Sequence, residues 1–128
     1  MTAIMSSLDR TNGVTLVGFA ARTANLTGSW IDLLDYEGQV MVLLAGTRST
    51  GDLASALEHS DDGVTGAGAV DANAFSGLAA VTAGTTFLLQ ASLNISATKR
   101  FVRYVGTATN TPSHNYGLLI VGQKKYQT

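Results

Sequence analysis

The side chains of this 128-residue chain that could do chemistry are two histidines, an Asp61-Asp62-Gly63 run, a glycine-rich patch and scattered serines and carboxylates. His59 and His114 each stand in a turn context, and neither has a second histidine at ligand spacing. A metal site usually needs three or four converging ligands, so both are expected to be exposed loop residues, and no metal is expected. Asp61-Asp62-Gly63 could be half of a calcium loop, but such a loop needs further oxygen ligands at alternate positions and a closing Glu. Val64-Thr65-Gly66-Ala67 supplies no such set. The run reads instead as a reverse turn, its carboxylates accepting backbone N–H bonds and its glycine supplying positive φ. Gly63 and Gly66-Ala67-Gly68 lack the GK[ST] and the following helix of a phosphate loop. Thr27-Gly28-Ser29-Trp30 lacks the second glycine of a nucleophile elbow. Asp32 and Asp35, the nearest approach to a glycosidase carboxylate pair, fall on opposite strand parities. The expectation is a protein that is not an enzyme and holds no cofactor.

The elements that carry these residues read as short strands. Gln39 to Gly63 looks like an organising hairpin: an apolar run, Val40 to Ala45, reads as a strand buried on both faces. After a polar loop, Thr47 to Asp52, the segment Leu53 to Leu57 alternates Leu and Ser against alanines, as a neighbouring strand would. Upstream, residues 1–13 read as an N-terminal arm and Val14 to Ala20 as the first strand. Asn25 to Gly28 reads as a turn. In Trp30 to Asp35 the parity that holds Asp32 should face solvent, leaving Trp30 and Leu34 at the surface. Between Gly63 and Gly84 the best anchors are Phe75 and Val81, with one helical turn conceivable at Ala72 to Phe75.

Thr85 to Ile95 has the cleanest period of two. Phe87, Leu89, Ala91, Leu93 and Ile95 share one face, with Leu88 the exception on the other, the signature of an antiparallel sheet wet on one side. From Arg100 to Thr109, Val102, Tyr104, Gly106 and Ala108 are expected to face in, and Phe101, Arg103, Val105 and Thr107 out. A loop from Asn110 to His114 leads to a last two-sided apolar strand, Tyr116 to Gly122, and a polar tail. Seven to eight short strands with turns between them point to an all-β antiparallel β-sandwich, jelly-roll or Ig-like, over residues 14–128 as a single domain.

Composition narrows the function classes. A net charge of −1 gives no basic surplus for neutralising phosphates, so no nucleic-acid partner is expected. Without cysteine, thiolate catalysis and thiolate metal sites are excluded, and the fold needs no oxidising compartment. The first residues show neither a basic n-region nor an apolar h-region, and no apolar run approaches a membrane span. Charged residues make up only 13% of the chain, against about a quarter in typical domains. Some of the surface is therefore expected to be covered by partners. Trp30, Leu34, Phe101 and Val105, with Arg103 at their rim, are the candidate protein–protein contact, because an apolar patch with Trp and Arg anchors marks interfaces.

Several segments carry a resemblance. The order Ser29-Trp30-Ile31-Asp32-Leu33, the strand Gln39 to Ala45, the turn Leu57-Glu58-His59-Ser60-Asp61-Asp62-Gly63 and the strand Lys99-Arg100-Phe101-Val102-Arg103-Tyr104-Val105 resembles small tailed-phage head proteins encoded near the major capsid protein. The similarity spans about residues 25–122, and its specific parts are the Asp-Asp-Gly turn and the Lys-Arg-aromatic-Val-Arg strand. Relatives often carry an aromatic residue soon after that turn, where this chain has Val64 to Gly68. The resemblance implies a capsid decoration (cement) protein with a β-sandwich or jelly-roll fold, made in the host bacterial cytoplasm and residing on the virion's capsid surface. Its implied partners are the major capsid protein and further copies of itself, as a dimer or trimer. The alternatives are a head–tail completion or tail-tube protein, a carbohydrate-binding β-sandwich module using Trp30, Tyr36 and Tyr104 as stacking platforms, and an enzyme or ligand-pocket protein.

Overall fold

The computed structural model describes residues 11–124. Seven strands make up nearly all of its regular structure: β1 (Thr11–Arg22), β2 (Leu26–Thr27), β3 (Ile31–Asp32), β4 (Tyr36–Ser60), β5 (Gly68–Ala69), β6 (Thr86–Asn94) and β7 (Phe101–Lys124). One 3-10 turn, Ile95–Ala97, follows β6 and is capped by the Asn94 side chain, which accepts from the Ser96 N–H. Every strand pairing is antiparallel. The expected all-β, sandwich-like architecture is what the chain adopts.

Its construction differs from a series of short hairpins. β4 and β7, 25 and 24 residues long, pair with each other along nearly their whole lengths, from Tyr36↔Lys124 to Ser60↔Phe101. The expected hairpin from Gln39 to Gly63 is therefore a single strand, and its two halves pair with opposite ends of β7. The presumed loops Thr47–Asp52 and Asn110–His114 are the corner at which both strands change direction together. The register slips on each side of Thr50, Gly51 sits at φ +82°, and Asn110 and Thr111 take positive φ. Side chains pin this corner: Arg48 donates to the carbonyl of Gly51 (2.7 Å), Thr50 Oγ1 to that of Thr111 (2.7 Å), and Asn110 Nδ2 to Asp52 Oδ2 (2.7 Å). Polar residues that look like loop formers instead satisfy the backbone groups a bent strand leaves unpaired.

The slip also switches the inward parity of β4. Before the corner Val40, Val42 and Leu44 are buried; after it Leu53 and Leu57 are. On β7 the inward residues stay on even numbers throughout, from Val102 and Tyr104 to Tyr116, Leu118 and Ile120. One half-sheet is β1–β7–β4–β6 and the other β2/β3–β7–β4–β5, and their inner faces share one apolar core. Tyr104 from one half meets Tyr116 from the other, ring centroids 5.9 Å apart, and Tyr104 shares a 2.7 Å hydrogen bond with Ser55. Burial pushes the Tyr104 phenol well above its ordinary pKa, so it stays neutral.

Smaller differences follow from the same geometry. β1 begins at Thr11, ahead of Val14, and residues 1–10 of the expected arm and 125–128 of the tail lie outside the described residues. Leu26–Thr27, expected as a turn, adds a short strand to β7. The helical turn considered at Ala72 to Phe75 is present as a single turn, closed by N–H bonds from Ala74 and Phe75 to the Asp71 carbonyl. Phe75 and Val81 are buried as expected, and their bridges to Leu93 and Leu53 tie the connecting segment to both halves. On β6, Ala91 and Leu93 are buried while Leu88 points out, as its period predicts.

Candidate functional site

The outer face of the β2/β3–β7–β4–β5 half holds most of the candidate contact residues. Register sets their rows: Phe101 lies between Ser60 and Asp32, Arg103 opposite Glu58, and Val105 between Ala56 and Thr27. Trp30, in the bulged link between β2 and β3, lies over the Arg103 guanidinium at 4.4 Å from its ring centroid. Arg103 also binds Glu58 Oε1 through Nε (2.8 Å) and its terminal nitrogen (2.7 Å), with both side chains about a quarter exposed (26% and 30%). Charge pairing and ring stacking hold the guanidinium from two sides, which fixes an otherwise mobile side chain. Leu34 does not join this row. It stands half-exposed in the turn after β3, its N–H bonded to Asp32 Oδ1, beside a recess lined by Ile95, Thr98, Lys99 and Arg100.

The Asp-Asp-Gly turn abuts the same face. Asp62 accepts from the N–H groups of Thr65 and Val64 (both 2.8 Å) and from the hydroxyls of Thr65 and Ser60. These bonds to the ionised form, those from the Thr65 and Val64 N–H groups foremost, hold its carboxyl far below the usual range. The carboxylate is thus saturated by its own loop, which is the reverse-turn reading rather than a calcium loop. Gly63, at φ +71°, lies so close to the Phe101 ring that a Cβ there would come within 3.0 Å of it. Lys99 reaches Asp61 at 3.7 Å, and its N–H donates to His59 Nδ1. Arg100 makes a two-point contact with Asp32 (2.9 and 2.7 Å), which lowers the Asp32 pKa. The two segments most specific to the resemblance, Leu57 to Gly63 and Lys99 to Val105, are therefore one paired unit.

Neither histidine is the exposed loop residue expected from its context. His59 is half-buried on β4. His114, on β7 at the corner, is only 4% exposed, with Phe87 edge-on at 6.5 Å. Burial first, then the nearby Arg48 charge, lowers its pKa. No group of three or more His, Cys, Asp or Glu placed to hold a metal exists among the described residues. No helix among them is long and apolar enough to cross a membrane.

No protein-family model matches this chain, and no curated protein matches it. Solved structures do resemble its fold. A chain of infectious bursal disease virus, Gt strain, matches with a TM-score of 0.51 and 16% identity over 92% of this chain, which spans 34% of that one. The SPBc2 prophage-derived protein YomS matches with a TM-score of 0.44 and 11% identity over 88% of this chain and 93% of YomS. The CBM22-1–GH10 portion of the Clostridium thermocellum xylanase 10B matches at 0.47 and 10% identity, over 94% of this chain and 27% of that one. At these identities the likeness to the virus chain is one of fold alone.

Sequence reasoning missed the other outer face, that of the β1–β7–β4–β6 half. Val40 to Ala45 and Tyr116 to Gly122 read as strands buried on both sides. Their even residues are buried, but Met41 is exposed and Leu43, Ala45, Leu119 and Val121 are only partly covered. Leu88 (71% exposed) from β6 and Phe19 (66%) from β1 join them. Phe19 gets there through a bulge. Between Val17↔Leu118 and Ala20↔Tyr116 the β1 backbone rides over Gly117, where a Cβ would lie 3.1 Å from the Phe19 backbone. A glycine in an apolar strand is the signal of such close approach.

Proposed function

We propose that this chain is a structural virion protein of the capsid-decoration type, which binds the outside of a phage capsid and stabilises the expanded shell by bridging major capsid subunits. One observation carries the reading. The two segments that resemble the decoration family form a single preorganised surface, with Trp30 clamped on Arg103 and Arg103 on Glu58. Preorganisation matters because ordering long side chains at a contact costs affinity, and here they are ordered beforehand. The fold likeness to a chain of infectious bursal disease virus is compatible with it. The action is mechanical rather than chemical: a rigid β scaffold that binds the expanded shell alone favours that state by mass action.

The test is sedimentation of the purified chain with expanded, undecorated capsids. The reading expects pelleting at a fixed, saturable ratio, weakened about tenfold or more by Arg103→Ala or Trp30→Ala in chains that remain folded. A chain that stays in the supernatant at every concentration removes the decoration role. Unchanged binding by both variants moves the contact elsewhere.

A further inference from the structure

We infer that the apolar face of the β1–β7–β4–β6 half is a homodimer interface, covered in solution by the same face of a second copy. Phe19, Met41, Leu43, Leu88, Leu119 and Val121 lie together on this outer surface. Their centre is a shallow groove of about 310 Å³ between Phe19 and Leu88, floored by Gly117 and Leu119.

Two properties select a second copy as the occupant. The first is charge. The outward positions around the groove on β4, β6 and β7 are Ala45, Thr47, Thr86, Gln90, Ser92, Asn115 and Gly117, none of them charged; the one acidic residue on this side of β4, Glu37, stands opposite Gln123 at the far end of the face, beyond Met41 and Val121. A twofold interface places each patch against itself, so any net charge on it would be repelled by its own image. An uncharged centre escapes that penalty. The opposite outer face has its charges already paired within the chain, Arg100 with Asp32 and Arg103 with Glu58, and leaves less apolar surface bare.

The second property is size. Phe19, Leu88 and Met41 alone expose on the order of 300 Å² of side chain, already as large as the biggest apolar patch on many soluble monomers. Doubled across a twofold axis and joined by Leu43, Leu119 and Val121, the face would bury on the order of 1,000 Å², the lower bound for a specific interface. Such sheets pack face to face about 10 Å apart, and the groove beside Phe19 offers a socket for a side chain of the facing copy.

The inference concerns the free protein and does not depend on capsid binding. The full chain, without capsids, is examined by sedimentation velocity from about 1 to 100 µM, beside Leu88→Glu and Phe19→Ser. Both replaced side chains are mostly exposed, so circular dichroism should stay near that of the parent and certify folding, while the melting temperature should fall only by the stability lost with the dimer. The parent should sediment as a dimer, and each variant should dissociate at least about 30-fold more readily, the loss expected of a central interface residue. A parent chain monomeric at 100 µM overturns the proposal. So does a dimer indifferent to both substitutions. A chain lacking residues 1–10 that dimerises when the full chain does not would assign the face to that segment instead. Loss of shell binding by Leu88→Glu in a monomeric parent would assign it to the capsid. Failure of the decoration reading leaves the sedimentation outcomes unaffected.

Discussion

The two outer faces of the folded sheet share one interior and the same two long strands, yet their surfaces differ in kind. Over the β2/β3–β7–β4–β5 half the charges of the contact face are matched within the chain: Arg103 with Glu58, Arg100 with Asp32 and, at the adjoining turn, Lys99 with Asp61. Over the β1–β7–β4–β6 half the centre is apolar and partly bare, ringed by uncharged polar residues, with Glu37 at one end. A face whose polar groups already satisfy each other is stable in water and can accept a partner without rearranging. A bare apolar face gains most by being covered. The same fold thus offers two surfaces suited to different kinds of contact.

The comparison breaks first if the shared interior is not shared. Leu44→Ala beneath the apolar face and Leu57→Ala beneath the charged face should each cost about 2–5 kcal/mol, because both empty a fully packed site. Thermal unfolding should show either variant falling by roughly 10 °C or more in one transition. A large asymmetry between the two would mean that the halves have separate cores.

The next effect lies on the surfaces. Arg103→Ala should cost about 1 kcal/mol, from the lost stack on Trp30 and a half-buried Glu58 left without its cation. Leu88→Ser, on the bare face, should change monomer stability by no more than about 0.5 kcal/mol. Denaturant midpoints of the two variants, taken at concentrations where the chain is monomeric, separate these, and equal losses would erase the distinction between the faces.

Acid should act through two groups and mark the corner apart from the turn. His114 has a folded-state pKa below its ordinary value, so the unfolded chain takes up its proton more readily. Its contribution to stability is complete above the unfolded value of about 6.5 and declines as pH falls below it. Asp62 is also lowered, but as a carboxyl it contributes fully above its ordinary range and loses that contribution only in strong acid. Stability followed from pH 7 to pH 5 should therefore fall slightly, and His114→Gln should flatten that slope. The parent's remaining acid loss, below about pH 4, should shrink in Asp62→Asn. The smallest effect belongs to Arg100→Ala. Its partner Asp32 is well exposed, so the change should stay within about 0.5 kcal/mol and shrink further at 1 M salt.

Much of the fold was legible wherever one face is wet and the other dry. On β6 the period of two placed Ala91 and Leu93 inside and Leu88 outside, and the inward set of early β7 came out the same way. The Asp-Asp-Gly turn was legible because its chemistry is local. The corner was not: Gly51, Asn110, Thr111 and Pro112 have the composition of loops, and only pairing across some sixty residues shows that they bend two strands in concert. The bare face was hidden for a related reason. An apolar run on both parities ordinarily means burial on both sides, and sequence shows what a strand wants covered but not whether its own chain covers it. The bulge that brings Phe19 to that face shifts parity by backbone geometry alone.

The corner has a mechanical corollary. Because β4 and β7 each cross it as unbroken backbone, tension applied to one half passes into the other through two covalent chains held together by interstrand hydrogen bonds, not through a slack connector. A load applied to one half therefore reaches the other through a hinge stitched by Arg48, Thr50 and Asn110.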